Sequence, residues 1–441
     1  QLSNLKKLYC HNNKLKLLPA NMGMLPQLDT LHAHGNQLTE VPLELALCTA
    51  LQELTINDNP LTKPFAAICQ HDVVDILAML SLLLQARNSE ELDASLLLSR
   101  GLKASPLQMS FILKSDIKAL SLSRIIVGAL EDDFGGFSIL RFLSAHDSKL
   151  HTISMGLSRL NFLEYIDFRR NNLDGLPIMD NLKQLRFLFL DHNHFVEFPA
   201  IASCVSLKIL TLSSNSLESI PDGLKSLKHL EFFSLANNKI VDLPLDMGQL
   251  KRLKFLELTG NPLDLFPLDL MGPGEFHHVD MNPGLHEHEI ADCATLSHAE
   301  RWLQESENII KSVDVFEAHT QNFVDYLQRL ETAALGDPAL NLSDLGLNYI
   351  PVYIARFTHL TSVSLARNKI IDCPLDLVNL RLLRTIDLSE NERFLFLPKD
   401  ALLPNRTELI ALMSRLRSIE VDELDLSKLS LTKLPSCIQD T

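Results

Sequence analysis

The sequence has little of what nucleic-acid-binding proteins, membrane proteins and enzymes need. Lys and Arg number 40 against 55 Asp and Glu, so the net charge is -15. The sequence has no clustered basic stripe of the kind that binds a phosphate backbone. The most apolar run, residues 73–84, is too short to cross a bilayer. No phosphate-binding loop, nucleophile elbow or kinase signature occurs. These absences argue against a nucleic-acid partner, a membrane span and a catalytic activity.

Cysteine is sparse, and its spacing does not predict a bridge or a metal site. The seven cysteines are scattered and lack paired spacings, which favours a reducing compartment. The richest group of metal-ligating side chains lies between Glu275 and Cys293. No paired-cysteine or H-E-x-x-H spacing accompanies it, and the repeat described next explains His278 and Asp280 as outward strand residues. We therefore expect no metal and no cofactor.

One phrase recurs along most of the chain. Six regular copies follow one another in steps of 22 or 23 residues, and they begin at Leu140, Leu163, Leu185, Leu207, Leu230 and Leu253. A representative copy reads LKILTLSSNSL. The spacing L-x-x-L-x-L-x-x-N-x-L is the signature of leucine-rich repeats. About sixteen copies are recognisable by this period. Neither end shows a polar capping unit, so we expect the chain to be part of something longer.

Each phrase has the pattern of a short strand followed by a turn. With the first leucine as position 1, positions 4 to 6 alternate between apolar and variable side chains, which is typical of a strand with one buried face. Position 9 is asparagine in most copies, and we expect its amide to satisfy backbone groups of the turns. Stacked copies bury a core that no single copy can form. The sequence therefore predicts an α/β leucine-rich-repeat solenoid with a curved parallel sheet on its concave face.

Helical patterns interrupt the repeats. Residues 65–91, 287–336 and 401–420 carry apolar side chains at helical spacing, and the second of these segments contains two such stretches. The predicted organisation is repeats over 1–64, a helical insert over 65–91, repeats over 92–286, a helical insert over 287–336, repeats over 337–400, a helical insert over 401–420 and the start of a further repeat block over 421–441.

The 23-residue step with Leu-Pro after the asparagine, as at Leu243 and Pro244, resembles the intracellular leucine-rich repeats of the Ras-suppressor and plant Ras-group type. This resemblance implies a cytoplasmic interaction surface whose partner is a small GTPase, a phosphatase, a kinase or a larger complex. Similar repeats precede the GTPase module of Roco proteins. The inserts depart from the family pattern, and so do Ile125, Ser148 and Gly284 in the asparagine column. No specific partner carries over.

The candidate binding surface is formed by positions 3 and 5 of the strands, and we name it the strand face. Its predicted partner-binding residues are aromatic side chains with a charged flank: Phe142, Tyr165, Asp167, Arg169, Phe187, Phe189, Asp191, Phe232 and Phe255. A row of outward rings predicts an apolar patch of the kind that marks interfaces. Two alternatives stay open: the rings stack on one another along the sheet, or an inserted helix or another part of the chain covers them.

The leading interpretation is a non-catalytic, cytoplasmic scaffold that binds a partner protein through its concave face. One alternative is the docking arm of a larger signalling enzyme, such as a Roco-type GTPase or a kinase. Another is a structural subunit of a large assembly.

Overall fold

Three-residue β-strands recur along the chain and pair in parallel within each sheet. The computed structural model describes residues 2–96, 108, 110–263, 266, 298–313, 317–371, 377 and 379–391. The chain divides into two compact units. The first comprises Gln1–His194, Pro199–Cys204 and Pro283–Ser306, and the second comprises Phe195–Phe198, Val205–Asn282 and Glu307–Thr441.

The first unit contains two runs of parallel strands and one short pair. The first run is ordered β1-β2-β3, with strands Lys7–Tyr9, Thr30–His32 and Glu53–Thr55. The second run pairs β4 (Glu91–Asp93), β5 (Ala119–Ser121), β7 (Phe142–Ser144), β9 (Tyr165–Asp167) and β10 (Phe187–Phe189) in that order. Between these strands, β6 (Ala129–Leu130) pairs with β8 (Thr152–Ile153).

The second unit repeats the arrangement twice. Strand β12 (Phe232–Ser234) pairs with β11 (Ile209–Thr211) and with β13 (Phe255–Glu257). A further sheet has the order β14-β15-β16, with strands Ala339–Asn341, Ser362–Ser364 and Thr385–Asp387. In both sheets the paired residues are one repeat apart, as Phe232 is from Phe255.

The strands occupy positions 3 to 5 of each phrase, one residue earlier than the predicted positions 4 to 6. In the copy that begins at Leu163, strand β9 starts at Tyr165. Ile166 and Phe168, at positions 4 and 6, are fully buried as predicted. The backbone of position 6 has already left the strand and bonds the next copy, since the Phe168 N–H donates to the Phe189 carbonyl at 2.9 Å. The inward register of the apolar side chains is therefore confirmed.

A column of buried amides links the turns of successive copies, as the sequence predicts. The Asn193 Oδ1 accepts the N–H of Leu173 at 3.1 Å, and its Nδ2 donates to the carbonyls of Phe168 at 2.9 Å and Leu190 at 3.0 Å. Each amide therefore joins its own copy to the preceding one. In the copy where Ser148 replaces asparagine, its Oγ donates to the Leu122 carbonyl at 2.6 Å.

Position 8, just before the asparagine, adopts a left-handed backbone that the sequence did not predict. Its φ lies between +53° and +60° in eleven non-glycine copies: Asn12, Asp58, Arg124, Asp147, Arg170, His192, Ser214, Asn237, Asp344, Arg367 and Glu390. Glycine fills the same position at Gly35 and Gly260. This conformation turns the chain sharply out of the strand, and most L-residues adopt it at a cost.

The structure gives the bounds of four α-helices: α1 (Lys63–Ile68), α2 (Val73–Ser89), α3 (His298–Ser312) and α4 (Glu317–Ala334). The insert predicted as one helix over 65–91 contains two helices. Asp72 caps the N-terminus of α2, because its side chain accepts the Asp75 N–H at 2.9 Å. Helix α2 packs against the 3₁₀ helix Leu43–Leu47, and α4 packs against the 3₁₀ helix Leu245–Gln249. Within the described residues, no helix combines the length and apolar composition needed to cross a membrane.

Several expectations concern residues outside the described part. These are Gly284 in the asparagine column, the group of metal-ligating side chains between Glu275 and Cys293, and the segments 401–420 and 421–441. The two helical stretches expected within 287–336 correspond to α3 and α4. The division into seven segments stays a prediction.

Candidate functional site

The predicted binding residues lie on the strand face or at its margin. In the first unit, β7, β9 and β10 carry Phe142, Tyr165, Asp167, Phe187 and Phe189. Arg169 and Asp191 follow β9 and β10 at position 7 of their copies. In the second unit, β12 and β13 carry Phe232 and Phe255, which are paired neighbours. Seven of the nine residues thus belong to one unit, five on adjacent strands and two just after them.

The expectation that these side chains form an exposed patch is wrong. The six aromatic side chains are at most 4% exposed, and Asp167, Arg169 and Asp191 are at most 8% exposed. A row of rings in water would be unfavourable, and apolar area gains about 25 cal/mol for each Å² that it loses to solvent. The residues remain in the predicted register, but the face they form is covered.

Part of this burial comes from contacts between the rings themselves. The Tyr165 ring centroid lies 5.5 Å from that of Phe189 and 6.5 Å from that of Phe187. In the second unit, the Phe232 and Phe255 rings stack at 4.7 Å with an interplanar angle of 26°. Such pairs contribute favourably beyond the area they bury. The alternative of mutual stacking is therefore present in the structure.

The other alternative, an inserted helix over the rings, is also present. The Trp302 ring of α3 stacks on Tyr165, with centroids 5.3 Å apart and an interplanar angle of 8°. One turn further along α3, Ser306 is 1% exposed, and its Oγ donates to the Trp302 carbonyl at 2.8 Å. Trp302 itself is half-buried. The first half of α3 thus lies against the strand face at Tyr165.

A buried ion pair stands beside the aromatic rings. The Arg169 Nε donates to Asp167 Oδ1 at 2.9 Å, and its Nη2 donates to Oδ2 at 2.7 Å. The Arg169 guanidinium also lies 5.1 Å from the centre of the Phe189 ring. Burial alone would raise the pKa of Asp167, but the charge and hydrogen bonds of Arg169 hold that pKa below its usual value. The pair is therefore ionised, and Asp191 adds negative potential that helps to raise the pKa of Arg169.

Two further titratable groups surround this pair. Burial raises the pKa of the Glu305 carboxyl on α3 to about 7, with Asp167 acting in the same direction and Arg169 and Arg301 opposing it. Burial lowers the pKa of His146, whose Nδ1 lies 3.6 Å from Asp167 Oδ2. The site thus combines a fixed ion pair with a carboxyl group that changes charge near neutral pH.

Sequence reasoning missed three residues of this site. His146 occupies the same repeat position as Arg169, and Trp302 and Glu305 come from a helix about 140 residues away from β9 in the chain. His146 could have been found from its place in the repeat, because it stands at position 7, as do the predicted binding residues Arg169 and Asp191. For Trp302 and Glu305 the signal was a pair three residues apart on an amphipathic helix, but nothing in the sequence indicated the strand on which that helix lies.

Charged residues at position 2 line one side of the strands. The Arg141 Nε donates to Glu164 Oε1 at 2.8 Å, and Arg186 Nη1 lies 3.9 Å from Glu164 Oε2. In the second unit, Lys208 and Lys254 flank Glu231 in the same way, at 4.0 Å and 3.6 Å. Alternating charges on adjacent strands stabilise the register by about 0.2–1 kcal/mol for each pair.

The strand face of the first sheet carries imidazole groups instead of the buried ion pair. The His11 and His34 rings stack at 4.6 Å, His32 Nε2 lies 2.9 Å from Glu53 Oε1, and the His34 Nδ1 lies 3.0 Å from Thr55 Oγ1. Within the described ranges, no group of three or more His, Cys, Asp or Glu side chains is arranged to hold a metal ion.

Comparison with known proteins identifies the repeat. The leucine rich repeat family matches residues 205–263. No curated protein matches the chain. Similar solved structures include an LRR protein of Leptospira interrogans, with 21% identity over 92% of this chain and 78% of that one, and a TM-score of 0.31. An internalin from Listeria monocytogenes has 16% identity over 88% of each chain and a TM-score of 0.36.

A third similar structure is the LRR ectodomain of a plant membrane receptor kinase from Arabidopsis thaliana, with 17% identity, a TM-score of 0.33, and coverage of 88% of this chain and 42% of that one. These likenesses carry no argument about partners. The strand register and the amide column show that the chain has an α/β leucine-rich-repeat solenoid fold, and residues 205–263 match the leucine rich repeat family.

Proposed function

We propose that this chain is a non-catalytic protein-protein interaction scaffold that binds a partner protein through the strand face. The observation that supports the proposal is the packing of α3 against that face. Trp302 stacks on Tyr165, and Glu305 lies in the field of Arg169. A surface that holds one protein segment by ring stacking and charge offers the same contacts to another.

The buried Asp167–Arg169 pair supports recognition over simple core packing. Desolvating two charges offsets much of their attraction, so an apolar pair of similar volume would hold the sheet at least as firmly. The charges do, however, select what lies above them. A segment that places a protonated carboxyl group above the pair is accepted, and one that places a second cation beside Arg169 is disfavoured.

The finer parts of the proposal rest on the resemblance of the repeats to the Ras-suppressor type. It favours a cytoplasmic protein in signalling, with a small GTPase, a phosphatase or a larger complex as partner. The roles of Phe142, Phe187, Asp191 and Phe232 as binding residues are part of the same proposal. Because these side chains are buried, their contribution is to hold the face in shape beneath the partner.

Site-specific photocrosslinking tests the proposal. A photoreactive amino acid at position 146, beside Asp167 on the strand face, should form an adduct with the partner in cells, and mass spectrometry identifies it. The matched control carries the same group at position 241, where Val241 is 56% exposed. Adducts that form at position 241 and not at position 146 would place binding elsewhere on the molecule.

A further inference from the structure

Three residues of α3 share the side of the helix that meets the strand face. Trp302, Glu305 and Ser306 stand at positions i, i+3 and i+4, which lie on one face of an α-helix. Ser306 is buried, whereas Trp302 and Glu305 are only half-buried. The contact therefore has the chemistry of a docked peptide helix: an aromatic anchor, a carboxyl group one turn later, and a partly solvated margin.

We propose that residues 298–306 are an internal ligand of the strand face. The partner competes with them by presenting a helix that carries an aromatic side chain and, three residues later, a polar side chain without positive charge. This inference rests on the proposed function, because it names the chemistry of the partner and the segment that the partner displaces.

The residues beneath α3 explain this specificity. The Tyr165 ring is 2% exposed and accepts a flat ring at the 5.3 Å spacing seen with Trp302. Arg169 supplies positive charge, and Asp167, which accepts hydrogen bonds from its Nε and Nη2, supplies negative charge beside it. A carboxyl group above the pair is thus attracted by Arg169 and repelled by Asp167. The net hold on α3 is weak at Glu305 and strong at Trp302, which makes the aromatic residue the anchor.

A peptide with the sequence of residues 298–313, labelled with fluorescein, tests the proposal by anisotropy. In the wild-type full chain the internal helix competes at the high effective concentration of a tethered segment. The full chain with Trp302→Ala has a weakened internal ligand and should bind the peptide at least about tenfold more tightly than the wild-type chain. Lys311→Ala, an exposed change on the same helix, should leave peptide binding at the wild-type level.

Two peptide variants define the chemistry. The peptide with Trp302→Ala should lose binding, and the peptide with Glu305→Lys should bind more weakly than the parent. Circular dichroism verifies that each full-chain variant is folded. Equal binding of the parent and Trp302→Ala peptides, or equal affinity of the wild-type and Trp302→Ala chains, would overturn the proposal.

A second measurement needs no variant of the chain. Trp302 is the only tryptophan, so its emission reports on the contact with Tyr165. Saturating the wild-type chain with the peptide that carries Trp302→Phe should shift this emission to longer wavelength as α3 is displaced. An unchanged spectrum at saturation would contradict displacement.

The two proposals fail in different ways. If crosslinks at position 146 identify a partner while the peptide does not compete, the strand face binds proteins and α3 is a fixed cover. If the peptide competes while no partner crosslinks at that position, α3 is an exchangeable segment and the scaffold function lies elsewhere.

Discussion

Asn171 uses both ends of its amide to join two turns. Its Oδ1 accepts the N–H groups of Ser148 at 2.9 Å and Leu150 at 3.0 Å, and its Nδ2 donates to the carbonyls of Ala145 at 2.8 Å and Phe168 at 2.9 Å. All of these groups are buried. No other side chain of this size offers donors and acceptors in that arrangement, which explains why asparagine fills this column in most copies.

We expect Asn171→Ala to lower the free energy of unfolding by about 3 kcal/mol, because it leaves several buried backbone groups without partners at about 1–3 kcal/mol each. Urea denaturation measures the change. The control is Asn172→Ala at the neighbouring exposed residue, which should cost less than about 0.5 kcal/mol. Equal losses of unfolding free energy in the two variants would show that the amide column does not stabilise the turns.

At the scale of the element, the close approach of α4 to a 3₁₀ helix depends on a glycine. A Cβ at Gly248 would lie 2.4 Å from the Gln328 backbone nitrogen and 2.6 Å from its Cα. The Gln249 Nε2 donates to Glu331 Oε2 at 2.6 Å, and the Gln321 Nε2 donates to the Leu253 carbonyl at 2.6 Å. These bonds fix α4 against the repeats at a spacing that only glycine permits.

The change Gly248→Ala should therefore destabilise the protein by about 1–3 kcal/mol, since backbone must move to admit the methyl group. Thermal unfolding followed by circular dichroism measures this loss. At Gly175 a Cβ meets nothing within 4 Å, so Gly175→Ala serves as the matched control and should be neutral or slightly stabilising. A neutral Gly248→Ala would mean that α4 packs more loosely than the structure indicates.

The pH dependence of α3 follows from Glu305. Its pKa on the strand face is about 7, above the ordinary value of 4.5, so docking is favoured when the carboxyl group is protonated. The stabilisation is complete below about pH 4.5 and is lost as pH rises through about 7. Burial also holds the pKa of His146 below its ordinary value of 6.5, so His146 is neutral where the Glu305 carboxyl group loses its proton near pH 7.

We therefore expect the Trp302 emission to move to longer wavelength between about pH 6.5 and pH 8 as α3 loosens from Tyr165. The variant Glu305→Gln has no charge to gain, and its spectrum should be flat over this range. A transition of the same size in Glu305→Gln would assign the effect to another group.

At the scale of the whole molecule, local periodicity was readable from the sequence and long-range placement was not. The inward leucines, the amide bonds and the two helices of the second insert all follow from patterns within one or two repeats. The left-handed backbone at position 8 has no single residue type as its signal, since Arg170, His192 and Ser214 all adopt it. Tyr165 is covered because Trp302 of α3 stacks on it, and no local sequence pattern specifies a contact between residues so far apart in the chain.

Repeat arrays gain stability from neighbouring copies, so their unfolding need not be all-or-none. We expect the urea transition of Trp302 fluorescence, which reports on the surroundings of Tyr165, to have a different midpoint from the transition of the circular dichroism signal, which reports on all strands and helices. Coincident midpoints would indicate a single cooperative transition.

Helices α2 and α4 are each followed directly by the first strand of another sheet, β4 after α2 and β14 after α4. Each also rests on the 3₁₀ helix of a copy that precedes it in the chain. Each helix therefore connects the copy before it to the sheet after it, and a helix together with the strands that follow it forms one cassette. Architecture of this kind can lengthen by whole cassettes, and the sites on each strand face can then diverge independently.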